Sequence, residues 1–354
     1  MTDGDAGRRK EDHIDIVLGG GRVASRLQSG FDALRLEPCA LPELRLDDVD
    51  ISTRFLGRRL GAPLLISAMT GGPARSEAIN ARLAEAAQEL RIALGVGSQR
   101  IALEEGASAG LGAALRQRAP DVLLFANLGA AQLLAGAGGA GGIDAGRRAV
   151  EMIGADALVV HLNPLQEAIQ EGGDGDWRGV LHAITALAAS LPVPVVVKEV
   201  GFGLSGAVAR RLVAGGVAAL DVAGAGGTNW ALVEGERGSG RTRAIAAAFA
   251  GWGLPTVDAL VAVRAACPAT PLIASGGVRD GVDVAKAIRL GADLAGQAAG
   301  TLQAAVTSTE AVVEHFSILA AQLRIACFAT GAADLAALRA VPLAGIPAAG
   351  FQRD

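Results

Sequence analysis

The sequence predicts a closed (β/α)8 barrel of the α/β class. Eight short apolar runs recur between residues 63 and 298, segments of helical periodicity separate most of them, and polar residues follow nearly every run. Alternating strands and helices are typical of parallel βα units, and eight such units in roughly 240 residues are the size of a closed barrel. An open doubly wound sheet is the alternative, but the GxGxxG motif usual after its first strand is missing.

Each predicted strand is an apolar run of the length expected for a buried strand. In chain order the runs are Pro63–Met69, Ala93–Gly97, Val122–Ala126, Ala157–His161, Pro194–Val200, Ala219–Ala223, Pro271–Ser275 and Leu294–Ala298. Apolar residues at helical spacing predict the helices Ala78–Arg91, Ala145–Ile153, Gly179–Leu191, Ser205–Ala214, Val257–Ala265 and Val282–Leu290. We therefore expect all eight strands to end at one face of the barrel.

The flanking segments are expected to belong to one barrel domain spanning residues 1–354. Residues 1–60 form a leader, in which a basic cluster at residues 8–10 runs into a helical pattern. Such a cluster is either a solvated tail or a functional segment tethered by the helix. Residues 301–354 hold a closing helix at Thr309–Phe328 and a tail rich in Pro and Gly, which we expect to be irregular.

Composition limits the class of partner. Lys and Arg total 32 against 36 Asp and Glu, a net charge of −4, which argues against nucleic acid or an anionic membrane as the main partner. Cys39, Cys267 and Cys327 lack CxxC spacing, so we expect reduced thiols and not a disulfide or zinc framework. No uncharged apolar run reaches the ~20 residues of a membrane span, and no signal peptide is visible. We therefore expect a cytoplasmic protein.

The polar residues after the fourth predicted strand are the strongest functional signal. The strand ends at His161, and Asn163, Gln166 and Glu167 follow in quick succession, with Pro164 stopping the strand ladder. Polar groups just past the end of a buried strand are typical of an active site on a barrel. An ordinary polar loop is the alternative interpretation.

The other strand ends place polar or glycine-rich groups at the same face. They are Ser67-Ala68-Met69-Thr70-Gly71-Gly72, Gly97-Ser98-Gln99-Arg100, Asn127-Leu128-Gly129, Lys198-Glu199, Gly224-Ala225-Gly226-Gly227-Thr228-Asn229-Trp230 and Ser275-Gly276-Gly277-Val278-Arg279. One polar turn means little, but polar groups at seven successive strand ends predict a single site.

Glycines after the last two strands predict a phosphate site, because barrels often bind a phosphate there through backbone N–H groups. Gly276-Gly277 and Ala298-Ala299-Gly300 fit this pattern, although ordinary turn glycines would look the same. Side chains such as Thr70, Ser98 and Asn127 suit the edges of a planar ring. The pattern therefore suits flavin mononucleotide (FMN), whose reduced ring is anionic.

Lys198, in the fifth predicted strand, has three interpretations. It is a Schiff-base amine, a counter-ion for an anionic cofactor, or one partner of an ion pair with Glu199 or Asp221. Because strand alternation puts Glu199 on the opposite face from Lys198, an ion pair between these two neighbours is the weakest interpretation.

Taken together, the motifs resemble those of the type 2, FMN-dependent isopentenyl-diphosphate delta-isomerases. The resemblance runs from residue 9 to about residue 300 and includes two further motifs, Arg9-Lys10-x-x-His13 and Val197-Lys198-Glu199-Val200-Gly201. The leader motif and the box His161-Leu162-Asn163-Pro164-Leu165-Gln166-Glu167 look specific to this family, whereas the glycine-rich motifs resemble those of many FMN barrels.

The resemblance implies an FMN-linked TIM barrel that interconverts isopentenyl diphosphate and dimethylallyl diphosphate, an isomerase of isoprenoid biosynthesis. The reaction implied is a 1,3-allylic proton shift that uses reduced FMN and Mg²⁺, with NADPH needed only as the reductant of the flavin. A homo-oligomer, tetramer or octamer, is also implied. The basic leader is expected to fold over the barrel mouth, from the same or a neighbouring subunit.

The resemblance also assigns roles to residues at the strand ends. His161, Asn163 and Gln166 are implied as catalytic, with Gln166 either transferring protons or only orienting the substrate. Glu167 is implied as the Mg²⁺ ligand. The implied substrate-binding residues are Arg9, Lys10, His13, Arg100, Gln166 and Trp230. The implied FMN-binding residues are Ala68, Met69, Thr70, Ser98, Asn127, Lys198, Thr228, Gly276, Gly277, Val278, Arg279, Ala298 and Ala299.

Three other classes of function are open to the sequence. A 2-hydroxy-acid oxidase would carry a His-Gly pair near the seventh strand, and an IMP dehydrogenase-like enzyme a cysteine after the sixth; Ser275-Gly276-Gly277 and Thr228-Asn229-Trp230 supply neither. A flavin-free lyase would use Lys198 as a Schiff base. A non-catalytic barrel would bind a prenyl diphosphate without converting it.

Overall fold

Eight parallel strands close into a barrel in the computed structural model, which confirms the predicted fold class. The structure describes residues 3–68, 74–105, 110–134 and 140–344, and it describes their side chains except at 3–10, 21, 74, 105 and 140. The strands are β1 (Arg35–Leu36), β2 (Thr53–Phe55), β3 (Arg58–Leu60), β4 (Leu64–Ile66), β5 (Ala93–Gly95), β6 (Leu124–Gly129), β7 (Ala157–His161), β8 (Val195–Lys198), β9 (Ala219–Asp221), β10 (Leu272–Ser275), β11 (Leu294–Gln297) and β12 (Leu343–Ala344).

Helices surround the barrel and flank it in the leader and in the closing segment. They are α1 (Asp3–Leu18), α2 (Ala74–Leu90), α3 (Arg100–Glu105), α4 (Ala113–Arg118), α5 (Ala140–Ile153), α6 (Pro164–Ile169), α7 (Val180–Ser190), α8 (Gly206–Ala214), α9 (Trp230–Arg237), α10 (Gly240–Ala247), α11 (Thr256–Ala266), α12 (Gly281–Arg289), α13 (Ala299–Thr307), α14 (Thr309–Ala329) and α15 (Leu335–Leu338).

Barrel strands β4 to β11 follow one another around the barrel in chain order, and β11 pairs with β4 to close it. Seven of the eight predicted apolar runs contain one of these strands, and the run Val122–Ala126 overlaps β6, which extends to Gly129. Their alternate residues separate two parts of the core, as the two-residue period of a strand requires. One part lies inside the barrel, and the other packs the outer face of the strands against the helices.

The amino-terminal end of the barrel is closed by the antiparallel hairpin of β2 and β3. Phe55 and Leu60 of this hairpin are buried and pack with the interior residues of the barrel, among them Phe125 and Ile273. A cavity for a ligand is therefore restricted to the opposite, carboxyl-terminal end of the strands.

Several elements were not predicted because their patterns are short. Helices α9 and α10 follow β9, where only a glycine-rich turn was predicted. The tail contributes strand β12, which pairs with β1 of the leader, and residues 345–354 lie outside the described residues. Helix α14 is long and apolar enough by composition to cross a membrane, but it packs against α2 and α12 in the helical layer around the barrel.

Candidate active site

A cavity of about 310 Å³ opens at the carboxyl-terminal end of the barrel, and all eight barrel strands contribute to its wall directly or through the turn that follows. Small-molecule and cofactor sites fall in the range of ~300–1,000 Å³. Leader residues His13, Ile14 and Val17 also line this cavity, so α1 lies at its mouth within the same chain.

Strand alternation determines which polar side chains enter the cavity. Leu65, Phe125, Val159, Val196 and Ile273 pack inside the barrel. Residues two positions further along each strand face the same side. They are Ser67, Asn127, His161, Lys198 and Ser275, and all five line the cavity.

His161 and Asn127 form a hydrogen-bonded pair between neighbouring strands. Asn127 Nδ2 donates to the carbonyl oxygen of Val96 at 2.9 Å, so its Oδ1 faces His161. His161 Nδ1 therefore donates to Asn127 Oδ1, at 2.8 Å. Because this bond places the proton on Nδ1, the neutral imidazole carries its lone pair on Nε2.

The side chain of Asn163 orients the two residues that follow it in the box. Its Nδ2 donates to Gln166 Oε1 at 3.1 Å and to Glu167 Oε1 at 3.0 Å. Asn163 Oδ1 is buried and has no hydrogen-bond partner within the described part of the chain. Since buried acceptors are usually satisfied, this oxygen is suited to accept a hydrogen bond from a ligand in the cavity.

Glu167 is buried, and both of its carboxylate oxygens accept hydrogen bonds. Its Oε2 accepts from the backbone nitrogen of Asp174 at 3.0 Å and from Gln170 Nε2 at 3.4 Å. Gly173 lies so close that an added Cβ would come within 2.1 Å of the carbonyl oxygen of Glu167. The glycine-rich loop is therefore folded back onto Glu167, at the wall of the cavity.

Glu234, on α9, joins the box to the leader. Its Oε1 accepts from Gln166 Nε2 at 2.8 Å and lies 3.0 Å from His13 Nε2, while its Oε2 accepts from Arg237 Nη1 at 2.9 Å. Burial alone would raise the pKa of Glu234, but the bond and charge of His13, together with Gln166 and Arg237, lower the pKa to about 2. Glu234 is therefore an ionised acceptor at neutral pH.

Lys198 does not pair with the carboxylate of Glu199. Its amine donates to the backbone oxygen of Glu199 at 2.6 Å, whereas Glu199 Oε2 accepts from the backbone nitrogens of Val200, Gly201 and Phe202. Burial lowers the pKa of Lys198, and the charges of Asp221 and Glu199 oppose that effect. Burial raises the pKa of Glu199 to about 7 against its three backbone hydrogen bonds. The amine of Lys198 therefore lies in the cavity wall, under the influence of the carboxylates of Asp221 and Glu199.

The opposite wall is built from backbone at the ends of β10 and β11. Gly276 has φ +97°, and a Cβ there would come within 2.1 Å of the carbonyl oxygen of Gly224. Ala298, Ala299 and Gly300 line the cavity at the start of α13, whose N-cap residue Ala298 makes no side-chain capping bond. Uncapped N–H groups at a helix start are suited to an anion.

Most of the predicted site residues meet at this cavity. Those whose side chains or backbone line it are His13, Ala68, Ser98, Arg100, Asn127, His161, Asn163, Gln166, Glu167, Lys198, Thr228, Trp230, Gly276, Gly277, Val278, Ala298 and Ala299. Met69 and Thr70 lie outside the described residues, as do the side chains of Arg9 and Lys10, whose backbone belongs to α1.

The side chain of Arg279 pairs outside the cavity, and the cofactor contact implied for this residue stays a prediction. Its guanidinium pairs with Asp32 of the leader at 2.6 Å and with Asp283 of α12 at 2.8 Å. It is not among the residues found to line the cavity. The two carboxylates neutralise the charge of the guanidinium, and the two ion pairs connect the leader to α12.

Glu234, Gln132 and Gln297 were not predicted as site residues from the sequence. Gln132 and Gln297 line the cavity, and Glu234 lies behind Gln166. One signal could have found Glu234: it stands four residues after Trp230, which places both on one face of a helix. Helix α9 was not predicted, so the four-residue spacing of Trp230 and Glu234 could not be recognised as a shared helical face.

Comparison with known proteins places the chain among FMN-dependent enzymes of this fold. A family model described as FMN-dependent dehydrogenase matches residues 163–343. Among solved structures, a mandelate oxidase variant with a monooxide FMN adduct has a TM-score of 0.64 at 20% identity, covering 96% of this chain and 98% of its own. At this level of sequence identity, the similarity to the mandelate oxidase shows a shared fold only.

Closer relatives specify the family. A protein of Xanthobacter autotrophicus named isopentenyl-diphosphate delta-isomerase is 77% identical over 97% of this chain and 99% of its own length. Proteins of the same name from Cronobacter sakazakii and Nostoc sp. are 58% and 50% identical, covering 98% and 94% of this chain and 99% and 93% of their own lengths. The chain belongs to the isopentenyl-diphosphate delta-isomerase family, as its motifs predicted, and is an isomerase.

Proposed function

We propose that this protein interconverts isopentenyl diphosphate and dimethylallyl diphosphate by a 1,3-allylic proton shift, using reduced FMN and Mg²⁺. The observation that carries the proposal is the composition of one cavity. It joins a glycine-rich wall, a buried lysine, a carboxylate beside a glycine-rich loop, and the leader residues His13, Ile14 and Val17. The relatives named above support the choice of substrate.

The residues present fit FMN. The turn at Gly276 and Gly277 and the uncapped start of α13 would hold its phosphate. The buried Ser67 Oγ, which has no hydrogen-bond partner in the described ranges, and the carboxamide of Asn127 would meet the edges of the ring. Lys198 would balance the negative charge of the reduced ring.

The residues present also fit a magnesium diphosphate. Within the described ranges no cluster of three or more metal-ligating side chains is found, but Mg²⁺ is commonly held by one or two carboxylates together with phosphate oxygens and waters. Glu167 would supply the carboxylate, and His13 and Arg100, which both line the cavity, would contact the diphosphate. The basic residues Arg9 and Lys10 precede His13 in α1.

The reaction adds a proton to one carbon of the allyl unit and removes one from another, with no net oxidation. Reduced FMN supplies the proton-transfer group near the alkene when it is bound. Gln166 would orient the substrate, because Asn163 and Glu234 fix both ends of its carboxamide. His161, with its tautomer set by Asn127, would line the hydrocarbon end. We also propose NADPH as the reductant of the flavin and a cytoplasmic homo-oligomer, either a tetramer or an octamer.

The proposal is tested by the absorption spectrum of the purified protein, followed by isomerisation assays with the flavin reduced. We expect a yellow protein that releases FMN and converts isopentenyl diphosphate only in the reduced, Mg²⁺-containing state. Recovery of FAD, or failure to bind added FMN, would contradict the cofactor assignment. Turnover of a 2-hydroxy acid such as mandelate without isomerisation would favour the oxidase alternative instead.

Glu167→Gln is expected to keep FMN binding but to raise the Mg²⁺ concentration needed for half-maximal activity by at least about tenfold. A neutral carboxamide is a poorer ligand than a carboxylate for a hard cation, and it leaves the diphosphate less neutralised. The measurement is activity against Mg²⁺ concentration. Glu171→Gln is the matched control, since Glu171 is an exposed residue of the neighbouring loop; equal Mg²⁺ dependence in both variants would make Glu167 a loop residue only.

Lys198→Ala is expected to weaken binding of reduced FMN by about tenfold more than binding of oxidised FMN, because reduction creates the charge that Lys198 balances. A tenfold difference lowers the midpoint potential of the bound flavin by ~30 mV for a two-electron couple. Potentiometric titration measures this shift. Lys198→Met separates charge from volume, and Lys286→Met is the control, because the Lys286 amine donates to Phe31 away from the cavity. Equal weakening of both redox states would exclude the counter-ion role.

A further inference from the structure

Arg237, the last residue of α9, connects the candidate site to the leader. Its Nη1 donates to Glu234 Oε2 at 2.9 Å, and its Nε lies 3.5 Å from Asp12 Oδ2. The Arg237 side chain is only 18% exposed and that of Glu234 is 1% exposed. The contact with Asp12 is an ion pair and not a hydrogen bond, because Nε has no hydrogen-bond partner in the described part of the chain.

Helix α9 presents three of its side chains to two consecutive leader residues. Trp230, Glu234 and Arg237 are spaced four and three residues apart, which places them on one helical face. His13 lies 3.0 Å from Glu234 and edge-on to the Trp230 ring at 5.3 Å between centroids. Asp12 meets Arg237. These contacts join segments more than 200 residues apart in the sequence, so they form a clasp between α1 and α9.

Arg237 also determines how the carboxylate of Glu234 is oriented. Both neighbours on the cavity side, His13 and Gln166, bind the same oxygen, Oε1. Arg237 holds the other oxygen, Oε2. Without that third contact the carboxylate can turn about its last torsion and move Oε1 away from Gln166. The contact that prevents this rotation is a single charge-assisted hydrogen bond from Nη1, which another cation at this position could also supply.

Resting on the function proposed above, we propose that Arg237 is a positioning residue. It holds Glu234 so that Gln166 is aimed into the cavity, and through Asp12 it keeps the leader helix closed over the mouth. An ordinary surface ion pair would contribute little, but the burial of Glu234 and of most of Arg237 sets this pair apart.

Two consequences are separable by substitution. Arg237→Gln removes both contacts. The kcat should fall by about 10- to 100-fold, the range for the charge-assisted hydrogen bond to Glu234. The KM for isopentenyl diphosphate should rise by up to about fivefold, the range for a partly exposed ion pair such as that with Asp12. Arg237→Lys keeps a cation beside Glu234 and should recover most of kcat. Asp12→Asn removes only the leader contact, so KM should rise while kcat stays within about twofold. The control is Arg243→Gln, whose more exposed guanidinium pairs with Glu236 at 3.4 Å.

Backbone hydrogen exchange of α1 in the FMN-loaded protein gives a readout that does not depend on activity. We expect faster exchange across residues 11–18 in Arg237→Gln and Asp12→Asn, and wild-type exchange in Arg243→Gln. Exchange and kinetics equal to the Arg243→Gln control would overturn the proposal. If Arg237→Gln does not fold, Asp12→Asn and Arg237→Lys decide, and wild-type exchange and KM in Asp12→Asn would overturn the clasp. If the wild-type protein lacks isomerase activity, the proposed function fails, while the exchange data still judge the clasp.

Discussion

Glu234→Gln is expected to lower kcat by about 100-fold. The carboxylate accepts hydrogen bonds at both oxygens, from Gln166 and His13 on one side and from Arg237 on the other. A carboxamide has one acceptor oxygen and one donor NH₂ group. On one of the two sides, the new NH₂ group would therefore face a donor and form no hydrogen bond with it. Gln166 would lose its orientation, and misplacement of a positioning group by about 1 Å costs about 10²-fold in rate.

The same substitution is expected to destabilise the fold by about 3 kcal/mol, because it leaves the largely buried guanidinium of Arg237 with only the more exposed carboxylate of Asp12 as a partner. The pKa of Glu234 in the folded chain, about 2, lies below its ordinary value of 4.5. Between these two pKa values, the unfolded chain therefore binds more protons than the folded chain. The contribution of Glu234 to stability is present above pH 4.5 and is lost as the pH falls towards 2.

Steady-state kinetics and denaturant unfolding, compared with Glu236→Gln, measure both effects. Glu236 lies on the same helix, and its partner is Arg243 at 3.4 Å. The loss of stability should shrink when unfolding of wild type and Glu234→Gln is compared at low pH, where the wild-type carboxylate is protonated in the unfolded chain. A Glu234→Gln enzyme with the kcat of Glu236→Gln would show that the network does not orient Gln166.

Deletion of residues 1–13 is expected to leave a folded protein that binds FMN but has a KM for isopentenyl diphosphate raised by at least about 100-fold. A diphosphate carries more charge than Arg100 and one Mg²⁺ can satisfy, and charge-assisted hydrogen bonds from Arg9 and Lys10 would contribute about 1.5–3 kcal/mol each. The deletion also removes His13 from the cavity wall and the clasp contacts of Asp12 and His13 with α9.

Steady-state isomerisation beside a flavin titration tests this expectation. His13→Ala in the full chain separates the imidazole from the basic residues that precede it, and should raise KM by less than the deletion does. An unchanged KM in the truncated protein, with intact FMN binding, would identify the leader as a solvated tail.

The barrel was predictable because its determinants are local. Short continuous apolar runs predict buried strands and segments of period 3.6 predict helices, and both patterns are read within a short window of sequence. All eight barrel strands were found in this way. The elements that were missed, such as α9 and the β2–β3 hairpin, are short and carry weak patterns.

The members of the cavity wall were also predictable, since parallel strands of a barrel end at one face. His161, Asn163, Gln166 and Lys198 were named from the strand ends alone, and all four line the cavity. The orientation of side chains beyond those ends was not predictable. Arg279 follows β10 as expected of a phosphate ligand, but its guanidinium forms ion pairs with Asp32 and Asp283.

The amino-acid sequence thus specified the barrel, its family and the polar groups at its mouth, because these depend on local periodicity and on the shared direction of the strands. Only the tertiary structure showed that Glu234 binds Gln166 and His13 together, and that Arg237 ties α9 to Asp12 of the leader. Gln166 and Glu234 are 68 positions apart in the sequence, and His13 and Glu234 are 221 positions apart. No local pattern encodes such pairings, because they arise only when the folded barrel brings the leader and α9 to the same edge of the cavity.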